Sequence, residues 1–416
     1  PAKYNGYKVY GSDGCQITTE AADEALREIE RLDIFADVKQ ADFDACLADG
    51  SIQWIPDSVY DNFTRAVRGQ SVLAADDPID RDVSIVYTPL NGTGLQPVTR
   101  ALRESGFTRI TVVPEQEQPD GHFPTCPYPN PEIREVMALG IACAQKHQAD
   151  LLLATDPDCD RMGVAVRDGQ GTFHTLTGNQ IGCLLLYHVL SQRQAHGTLP
   201  RNGAICKSIV STEMARAIAA SFDIACIDTL TGFKFIGEQI GELERAGEAE
   251  RYLFGFEESY GYLSGPHVRD KDAVNAALLC CEMAAWYRAQ GMTLAQAMDA
   301  LYEKFGYYRN ELKSVVLPGE DGMERMSAIL TALRAAPPHT LAGERVTRVR
   351  DYLGGLDGLP AGDVLELRTA HVKVIVRPSG TEPKLKIYYS AHARTMAEAA
   401  ALCAAARRDM SARLGE

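Results

Sequence analysis

The sequence predicts an α/β protein of several domains, each built on a sheet that helices cover. Short apolar strands alternate with amphipathic helices from about residue 57 to residue 302, a pattern typical of largely parallel sheets. The chain of 416 residues is long enough for about three domains at roughly 150 residues each. Hydrophobic residues make up 45% and charged residues 24%, which is typical of globular protein and argues against disorder, collagen-like structure or coiled coil.

The first elements come before the regular alternation. A short strand is predicted at residues 7–10, and a helix from Thr19 to Leu32 places apolar residues on one face. A polar, Asp-rich stretch then ends at Pro56. The alternation that follows predicts helix Tyr60–Arg68, strand Val83–Tyr87, helix Gln96–Ser105, strand Arg109–Val113, helix Glu132–His147 and strand Asp150–Ala154.

The later part of the chain divides into two further blocks. Residues from 177 to about 302 repeat the strand–helix alternation, whereas the last block has consecutive strands and a closing Ala-rich helix with a capping box at Thr395 and Glu398. The strands predicted in the last block are Val364–Leu367, His371–Val376 and Lys384–Tyr389. We therefore expect domains at residues 1–56, 57–176, 177–304 and 305–416.

The charge balance and the cysteines argue against several classes of protein. Lys and Arg number 42 and Asp and Glu number 56, so the net charge of −14 disfavours binding to duplex DNA or to an anionic membrane. The sequence has no run of 18 apolar residues, so we expect no transmembrane helix. Eleven Cys without a Cys-x-x-Cys pair are typical of reduced thiols, so we expect a cytoplasmic protein without disulfides or a zinc site.

An acidic loop follows one of the predicted strands directly. Asp156, Asp158 and Asp160 alternate along it, and carboxylates this close repel one another unless a cation gathers them. The carboxyl end of a parallel strand is where such sheets bind ligands, and oxygen-only ligands suit Mg²⁺. A calcium EF-hand needs Gly at the sixth position and Glu at the twelfth, where this chain has Arg161 and Arg167. The remaining alternative to a Mg²⁺ site is a solvated acidic turn.

A second polar loop lies between two of the C-terminal strands. Arg377 offers a bidentate fork to phosphate, and Ser379 and Thr381 offer hydroxyl groups. Gly380 lets backbone amides approach a bound anion. The loop is therefore a candidate phosphate site, and the alternative is a tight strand connection.

Two more loops follow predicted strands in the third block. Glu257, Glu258 and Ser259 emerge from a strand end and suit hydrogen bonds to sugar hydroxyls, although acidic residues at a helix start are an equal alternative. Lys234 lies in a hydroxyl-rich turn between a strand and a helix. The segment around Arg269 adds basic character, but such a charge run is also common in solvated loops.

Several common catalytic patterns are missing from the sequence. No His lies in a His-x-x-x-His pattern and no Ser in Gly-x-Ser-x-Gly, so a zinc protease or a hydrolase triad has no support. Gly92-Thr93-Gly94 lacks both the spacing of a dinucleotide loop and a Gly-Lys-Ser/Thr ending. We interpret it as a structural turn.

The order and spacing of the polar loops resemble the α-D-phosphohexomutase superfamily over essentially the whole chain. An Asp-x-Asp-x-Asp-Arg loop comes first, then Glu-Glu-Ser, then Arg-Pro-Ser-Gly-Thr. The opening Pro-Ala-Lys-Tyr-Asn-Gly-Tyr-Lys is similar to the segment directly after the phosphoserine motif, Thr-Ala-Ser-His-Asn-Pro, of those enzymes. Thr-Leu-Thr-Gly-Phe-Lys-Phe-Ile-Gly and Phe-Gly-Phe-Glu-Glu-Ser-Tyr-Gly-Tyr are most similar to the bacterial phosphoglucomutase branch.

The resemblance implies a multi-domain architecture around a central cleft. Three mixed α/β sheet domains, the first incomplete, would be joined by a smaller α+β C-terminal domain. It also implies one Mg²⁺ per chain on Asp156, Asp158 and Asp160, a small sugar phosphate as partner, and glucose 1,6-bisphosphate as activator and intermediate. No nucleic-acid or membrane partner is expected, and the sequence does not indicate an oligomeric state.

The resemblance also implies two groups of site residues. Lys8 would act in proton transfer beside the reactive serine, and Arg161 would lie on the substrate side of the metal loop. The implied substrate-binding residues are Glu257, Ser259, Lys234, Arg269, Arg377, Ser379, Gly380 and Thr381.

The implied activity is the interconversion of glucose 1-phosphate and glucose 6-phosphate through a phosphoserine. Some superfamily members carry an acid/base His where this chain has Tyr260-Gly261-Tyr262, so proton transfer differs in detail. The reactive Ser would fall three residues before Pro1, so we expect residues 1–416 alone to bind sugar phosphates without turnover. The alternatives are a phosphomannomutase, a phosphopentomutase, or a truncated, non-catalytic phosphosugar-binding chain.

Overall fold

The structure is a computed structural model of the chain, and it describes residues 2, 8–17, 19–74, 76–319, 321–379 and 382–414. Three separate sheets of four or five strands and a two-stranded ribbon follow one another along these residues. Within the described part of the chain, every helix is too short or too polar to span a lipid bilayer.

The described residues from 8 to 56 form two short helices joined by turns and irregular segments, and they are mostly exposed. The helices are α1 (Thr19–Ile29) and α2 (Phe43–Ala48). Apolar side chains on this segment face solvent, with Phe35 91% and Trp54 77% exposed. The segment meets the rest of the chain where the Tyr10 hydroxyl donates to Asp270 at 2.8 Å. This contact places the beginning of the segment, including Lys8, beside the acidic loop.

The next unit is a five-stranded mixed sheet with helices on it. Its elements are α3 (Asp57–Arg68), β1 (Ile85–Thr88), α4 (Leu95–Glu104), β2 (Ile110–Val112), α5 (Ala138–Lys146), β3 (Leu151–Thr155), β4 (Met162–Arg167) and β5 (Phe173–Thr175). The strand order is β2-β1-β3-β4-β5, in which β1 runs parallel to β2 and β3 while β4 and β5 are antiparallel. Strands β1 and β3 are buried neighbours that run parallel, so the loops that follow them meet at one edge.

A four-stranded mixed sheet forms the third unit. Its elements are α6 (Gly178–Ala195), β6 (Ala204–Ser208), α7 (Met214–Ser221), β7 (Ala225–Thr229), α8 (Phe233–Arg245), β8 (Tyr252–Glu257), β9 (Gly261–Ser264), α9 (Ala273–Ala289) and α10 (Leu294–Phe305). The order is β7-β6-β8-β9, with β6 parallel to β7 and β8. The loops after β6, β7 and β8 therefore share one edge.

The two sheet units share one hydrophobic core. Helices α6, α9 and α10 contribute side chains such as Leu184, Leu278 and Met298 to the same buried cluster as Ile85 and Leu153 of the five-stranded sheet. A continuous core of this kind resists relative movement because its packing leaves few voids. It therefore fixes the edge of one sheet relative to the edge of the other.

The C-terminal unit is built on an antiparallel sheet. Its elements are β10 (Tyr307–Val316), α11 (Gly322–Ala335), β11 (Thr340–Leu341), β12 (Glu344–Arg345), β13 (Arg348–Asp351), β14 (Leu365–Arg368), β15 (Val372–Pro378), β16 (Lys384–Ala393) and α12 (Met396–Leu414). The sheet order is β10-β16-β15-β14-β13. Side chains on one face, among them Val374 and Ile387, pack with α11 and α12. On the other face, Ile375 and Tyr388 pack against Ile209 of the third unit.

The structure corrects some of the elements that the sequence predicts. Of the strand at 7–10, Tyr7 lies outside the described residues and Tyr10 makes only a single bridge, with Gln16. The helix predicted from Glu132 begins at Ala138, because the preceding residues form a tighter 3₁₀ turn, and apolar periodicity does not distinguish the two over one turn. The largely parallel sheets are mixed, since short loops such as the one between β3 and β4 can join only antiparallel strands.

The carboxyl group of Glu282 on α9 is buried where the helix meets the five-stranded unit. It is 2% exposed and accepts a hydrogen bond from the Val72 amide at 3.4 Å. Burial raises the pKa of Glu282 from 4.5 to about 7. Because the folded-state pKa lies above the unfolded value, the stability from the protonated carboxyl is complete below about pH 4.5 and is lost as the pH rises through 7.

We expect Glu282→Gln to stabilise the protein at pH 8.5 by about 2 to 3 kcal/mol, and to have little effect near pH 4.5. The amide keeps an acceptor for Val72 but does not ionise. Urea denaturation at both pH values measures the difference, with the exposed Glu303→Gln as the control. An equal effect of Glu282→Gln at both pH values would refute the assigned titration.

Candidate active site

The acidic loop closes the hairpin between β3 and β4. Its backbone wraps around the Asp156 carboxylate, which accepts hydrogen bonds from the amides of Asp160 at 3.0 Å and Arg161 at 2.9 Å. One ligand oxygen each from Asp156, Asp158 and Asp160 lies within 4.8 Å of the others. Cys159 adopts a left-handed conformation at φ 56°, which is uncommon for residues other than Gly. The turn thus brings three carboxylates together and can hold one cation.

Two lysine ammonium groups contact the acidic loop. Lys271 Nζ lies 2.7 Å from Asp160 Oδ2, and Lys8 Nζ contacts Asp160 and lies 3.2 Å from Asp158 Oδ2. Burial alone would lower the pKa of Lys8, but the charges of Asp160, Asp270 and Asp158 raise it. Positive charge is therefore strongly favoured beside these carboxylates.

Burial and neighbouring charges shift the pKa values of the buried carboxyl groups in the acidic loop. Burial, followed by the charges of Asp160 and Asp158, raises the pKa of Asp156 to about 8. For Asp160, burial acts in the same direction, but the ammonium groups of Lys271 and Lys8 outweigh it and lower the pKa. Since a further cation would relieve this repulsion, the oxygen-only set suits a hard divalent ion.

The turn Gly92-Thr93-Gly94 packs directly against the acidic loop. The Thr93 amide and hydroxyl donate to the Pro157 carbonyl at 2.8 and 2.9 Å. A Cβ at Gly92 would lie 2.3 Å from Pro157 Cα, so the two loops approach closely only because this residue is Gly. The turn holds the acidic loop in place, as expected of a structural turn.

Arg161 links the acidic loop to the loop that carries Glu257, Glu258 and Ser259. Its guanidinium lies 2.8 Å from Glu132 Oε1 and 3.8 Å from Asp156 Oδ2, and its backbone bridges to Gly261. Burial lowers the pKa of Arg161, but Glu132, Asp156, Asp160 and Glu257 together raise it. The arginine is thus held charged between the carboxylates of two loops.

The loop after β8 is anchored by its acidic residues. Glu257 is 5% exposed and accepts a hydrogen bond from the Gly232 amide at 2.7 Å, which ties the loop to the start of α8. Lys234, predicted in a turn, lies in the first turn of this helix. Burial raises the pKa of Glu257, and burial with the Glu257 charge raises the pKa of Glu258 to about 7. Ser259 is half-buried beside them. These side chains offer acceptors and a donor for a polyol.

Tyr260 ends this loop in a strained conformation. Its φ is 68°, which is unusual for a bulky side chain, and its carbonyl accepts a hydrogen bond from the Met162 amide at 3.0 Å. A Cβ at Gly178 would lie 2.1 Å from the Glu258 carbonyl oxygen, so the loop packs directly on the start of α6. Strain held by surrounding packing is common at functional loops.

The predicted phosphate loop shares a cavity with the Lys234 turn. Lys234, Arg377 and Ser379 line this cavity of 570 Å³ together with apolar residues of α11. Two members of the predicted loop, Gly380 and Thr381, lie outside the described residues. The structure thus brings two separate candidate phosphate-binding cations to one cavity.

Lys8 and Arg269 line a different, larger cleft of 1220 Å³ on the outer side of the acidic loop. The Arg269 side chain is 9% exposed, and its guanidinium contacts Glu244 and the Pro266 carbonyl. Arg269 therefore lies with Lys8 and Asp158, away from the cavity that contains Arg377.

Sequence reasoning missed three residues that belong to this arrangement. Glu132 pairs with Arg161, Lys271 pairs with Asp160, and Tyr388 lies diagonally across from Arg377 on the neighbouring strand. Strand pairing places Tyr388 and Arg377 on the same face of the sheet. Pairing the predicted strands β15 and β16 by their alternating side chains could therefore have identified Tyr388 from the sequence. No local sequence pattern identifies Glu132 or Lys271 as a site residue, because only tertiary packing brings each of them to its partner.

Three family models match the chain in succession. They are described as phosphoglucomutase/phosphomannomutase alpha/beta/alpha domain II, alpha/beta/alpha domain III and C-terminal domain, and they match residues 62–169, 177–305 and 341–408. A phosphoglucomutase of Staphylococcus aureus strain USA300 is 35% identical over 402 residues, covering 94% of this chain and 70% of the relative. The same enzyme of strain MSSA476 is 34% identical over 412 residues, covering 96% and 72%.

Solved structures share the fold at low sequence identity. A phosphoglucomutase/phosphomannomutase family protein of Burkholderia thailandensis has a TM-score of 0.61 at 16% identity, covering 85% of this chain and 64% of its own. Parafusin, a Paramecium phosphoglucomutase, has a TM-score of 0.58 at 16% identity, covering 86% and 61%. This chain thus spans less than two thirds of either structure. The matches confirm the predicted multi-domain α/β fold, and the chain belongs to the phosphoglucomutase/phosphomannomutase family of the α-D-phosphohexomutase superfamily.

Proposed function

We propose that this family member is a Mg²⁺-dependent phosphoglucomutase, which interconverts glucose 1-phosphate and glucose 6-phosphate through a phosphoserine and glucose 1,6-bisphosphate. The observation that carries the proposal is the joining of three loops of different chemistry. Arg161 of the carboxylate loop forms a backbone bridge to Gly261, next to the Glu-Glu-Ser loop. The Glu-Glu-Ser loop accepts a hydrogen bond from the amide at the start of α8, and Lys234 of that helix lines one cavity with Arg377. The similarity to bacterial phosphoglucomutases supports glucose as the sugar.

Asp156, Asp158 and Asp160 would hold one Mg²⁺. The fit rests on three carboxylates whose oxygens lie within 4.8 Å of each other, a donor set of oxygen atoms alone that suits a hard divalent cation. When bound, the ion would neutralise charge that develops on a transferred phosphoryl group. Arg161, held beside the same carboxylates, would orient the phosphoryl oxygens.

The other loops would bind the two ends of the sugar phosphate. Glu257 and Ser259 would hydrogen-bond the sugar hydroxyls, and Arg377, Ser379, Gly380 and Thr381 would bind the phosphate that is not transferred. Lys234 would add charge in the same cavity as Arg377. Such a division lets either end of the hexose occupy the phosphate site, as a mutase requires.

One lysine and one arginine line the cleft beside the metal loop. Lys8 contacts Asp160 and lies near Asp158, so it is placed to exchange a proton with a group reacting beside them. Arg269, in the same outer cleft, would contact a phosphate that enters from that side. None of the residues assigned within 1–416 is the phosphoryl carrier.

Binding and turnover test the proposal separately. Calorimetry on residues 1–416 should detect one Mg²⁺ and glucose 6-phosphate. A version extended upstream through Thr-Ala-Ser-His-Asn should isomerise glucose 1-phosphate with a higher kcat/KM than mannose or ribose 1-phosphate. A preference for mannose or ribose would reassign the sugar, and the absence of both sugar-phosphate binding and turnover would refute the mutase assignment.

A further inference from the structure

Strand β15 carries Arg377 near one end and Lys373 near the other, on the same face. Alternate residues of a strand share a face, so Lys373, Ile375 and Arg377 point the same way. Ile375 packs against Ile209, which shows that this face meets the third unit. The strand that holds the phosphate loop therefore touches the sheet unit that holds the Glu-Glu-Ser loop.

Lys373 reaches across this junction into the loop that follows β6. Its side chain is 6% exposed, and its ammonium lies 2.7 Å from Glu213 Oε1 and donates to the Ile209 carbonyl at 2.8 Å. The Ser211 carbonyl lies at 3.5 Å. One buried ammonium group thus contacts three oxygen atoms of the loop at residues 209–213.

The same loop holds Glu258 through two serine hydroxyls. Ser208 Oγ donates to Glu258 Oε2 at 3.1 Å, and the Glu258 amide donates to Ser211 Oγ at 3.1 Å. The two hydroxyls lie 2.8 Å from each other, and both serines are fully buried. A continuous chain of contacts therefore runs from Lys373 to the residue between Glu257 and Ser259.

The charges at this junction indicate that Lys373 positions the loop at residues 209–213 more than it contributes to the free energy of unfolding. Glu213 also faces Lys207 at 3.3 Å and Arg368 at 3.6 Å, so it keeps cationic neighbours without Lys373. Burial would raise the pKa of Glu213, but Lys207 and Lys373 lower it, so the carboxylate stays ionised. A buried ion pair is weak evidence for a stabilising role because desolvation offsets its attraction, and in some proteins such pairs specify position instead.

We propose that Lys373 is a positioning residue, which sets the spacing between the phosphate loop and the Glu-Glu-Ser loop so that one sugar phosphate can contact both. The inference rests on the proposed function of those two loops. A ligand that bridges two subsites gains affinity only while their spacing matches its length. A ligand that occupies the phosphate loop alone does not depend on that spacing.

The test compares inorganic phosphate with glucose 6-phosphate as calorimetric ligands of residues 1–416. We expect Lys373→Met to weaken glucose 6-phosphate roughly tenfold or more, while the Kd for inorganic phosphate changes less than about twofold. Amide hydrogen exchange should rise at residues 209–213 in the variant. Arg100→Met, which removes ion pairs to Asp61 and Glu104 far from the junction, is the matched control and should change neither Kd.

Ser211→Ala provides a second test that leaves all charges in place. It cuts the chain of contacts at its other end, so we expect the same selective loss for glucose 6-phosphate, with a smaller factor. Equal weakening of both ligands, or no change, in a folded variant would overturn the positioning role. Failure of the unaltered protein to bind glucose 6-phosphate would instead overturn the proposed function, and this inference with it.

Discussion

Asp158→Asn is expected to lower kcat in the upstream-extended version by about 100-fold or more, because the substitution removes one anionic ligand where charge is neutralised in the transition state. Asp158 suits the test because its side chain is 60% exposed, against 11% for Asp156 and 12% for Asp160. The isosteric amide can therefore be accommodated without disturbing the buried part of the turn. Coupled mutase kinetics measure kcat, and calorimetry should show weaker Mg²⁺ binding by residues 1–416.

The control for Asp158 is Asp76→Asn, which removes one exposed carboxylate outside the loop. It should retain normal kcat and Mg²⁺ affinity, since net charge changes equally in both variants. Near-normal turnover of Asp158→Asn with unchanged metal dependence would exclude the carboxylate loop as the metal site.

Arg377→Ala is expected to weaken sugar-phosphate binding by roughly 1.5 to 3 kcal/mol, which is about 10- to 150-fold in Kd. Arg377 lines the cavity shared with Lys234 and Ser379, and Tyr388 lies diagonally across from it on β16. Arg377→Lys should recover only part of the loss, because an ammonium keeps the charge but cannot form the bidentate fork. Calorimetry with glucose 6-phosphate measures both variants.

Arg345→Ala is the matched control, since it removes an exposed cation from the same unit. Unchanged affinity in that variant would show that the loss in Arg377→Ala is local and not a consequence of net charge. If Arg377→Ala binds glucose 6-phosphate as tightly as the unaltered protein, the loop is a plain strand connection.

Local patterns were sufficient to predict where the polar loops lie relative to the strands. Asp156, Asp158 and Asp160 follow a buried strand, and their crowding is visible in the sequence because alternation needs no tertiary information. Similarly, Arg377 follows a short run of apolar, mostly β-branched residues, which favours a strand, and it lies near the end of β15. The Glu398 amide donates to the Thr395 hydroxyl at 3.2 Å, as expected for the predicted start of α12.

The relations between loops could not be predicted in the same way. Lys271 reaches Asp160, and Lys373 reaches Glu213, across more than a hundred residues of chain in each case. The local sequence around each lysine is like that around a solvent-exposed lysine. Only the packing of the sheets therefore identifies their partners. The assigned roles of the site residues stay predictions until the variants are measured.

The C-terminal sheet has consequences for how this protein can change over evolutionary time. Its two faces are covered by different parts of the chain, one by α11 and α12 and the other by residues around Ile209. A C-terminal unit exchanged between relatives would therefore meet a foreign surface at Ile375 and Tyr388, and would leave Lys373 facing an unmatched loop. We therefore expect residues on the two sides of this junction to change together among relatives, and the C-terminal unit to be poorly suited to transfer as a separate module.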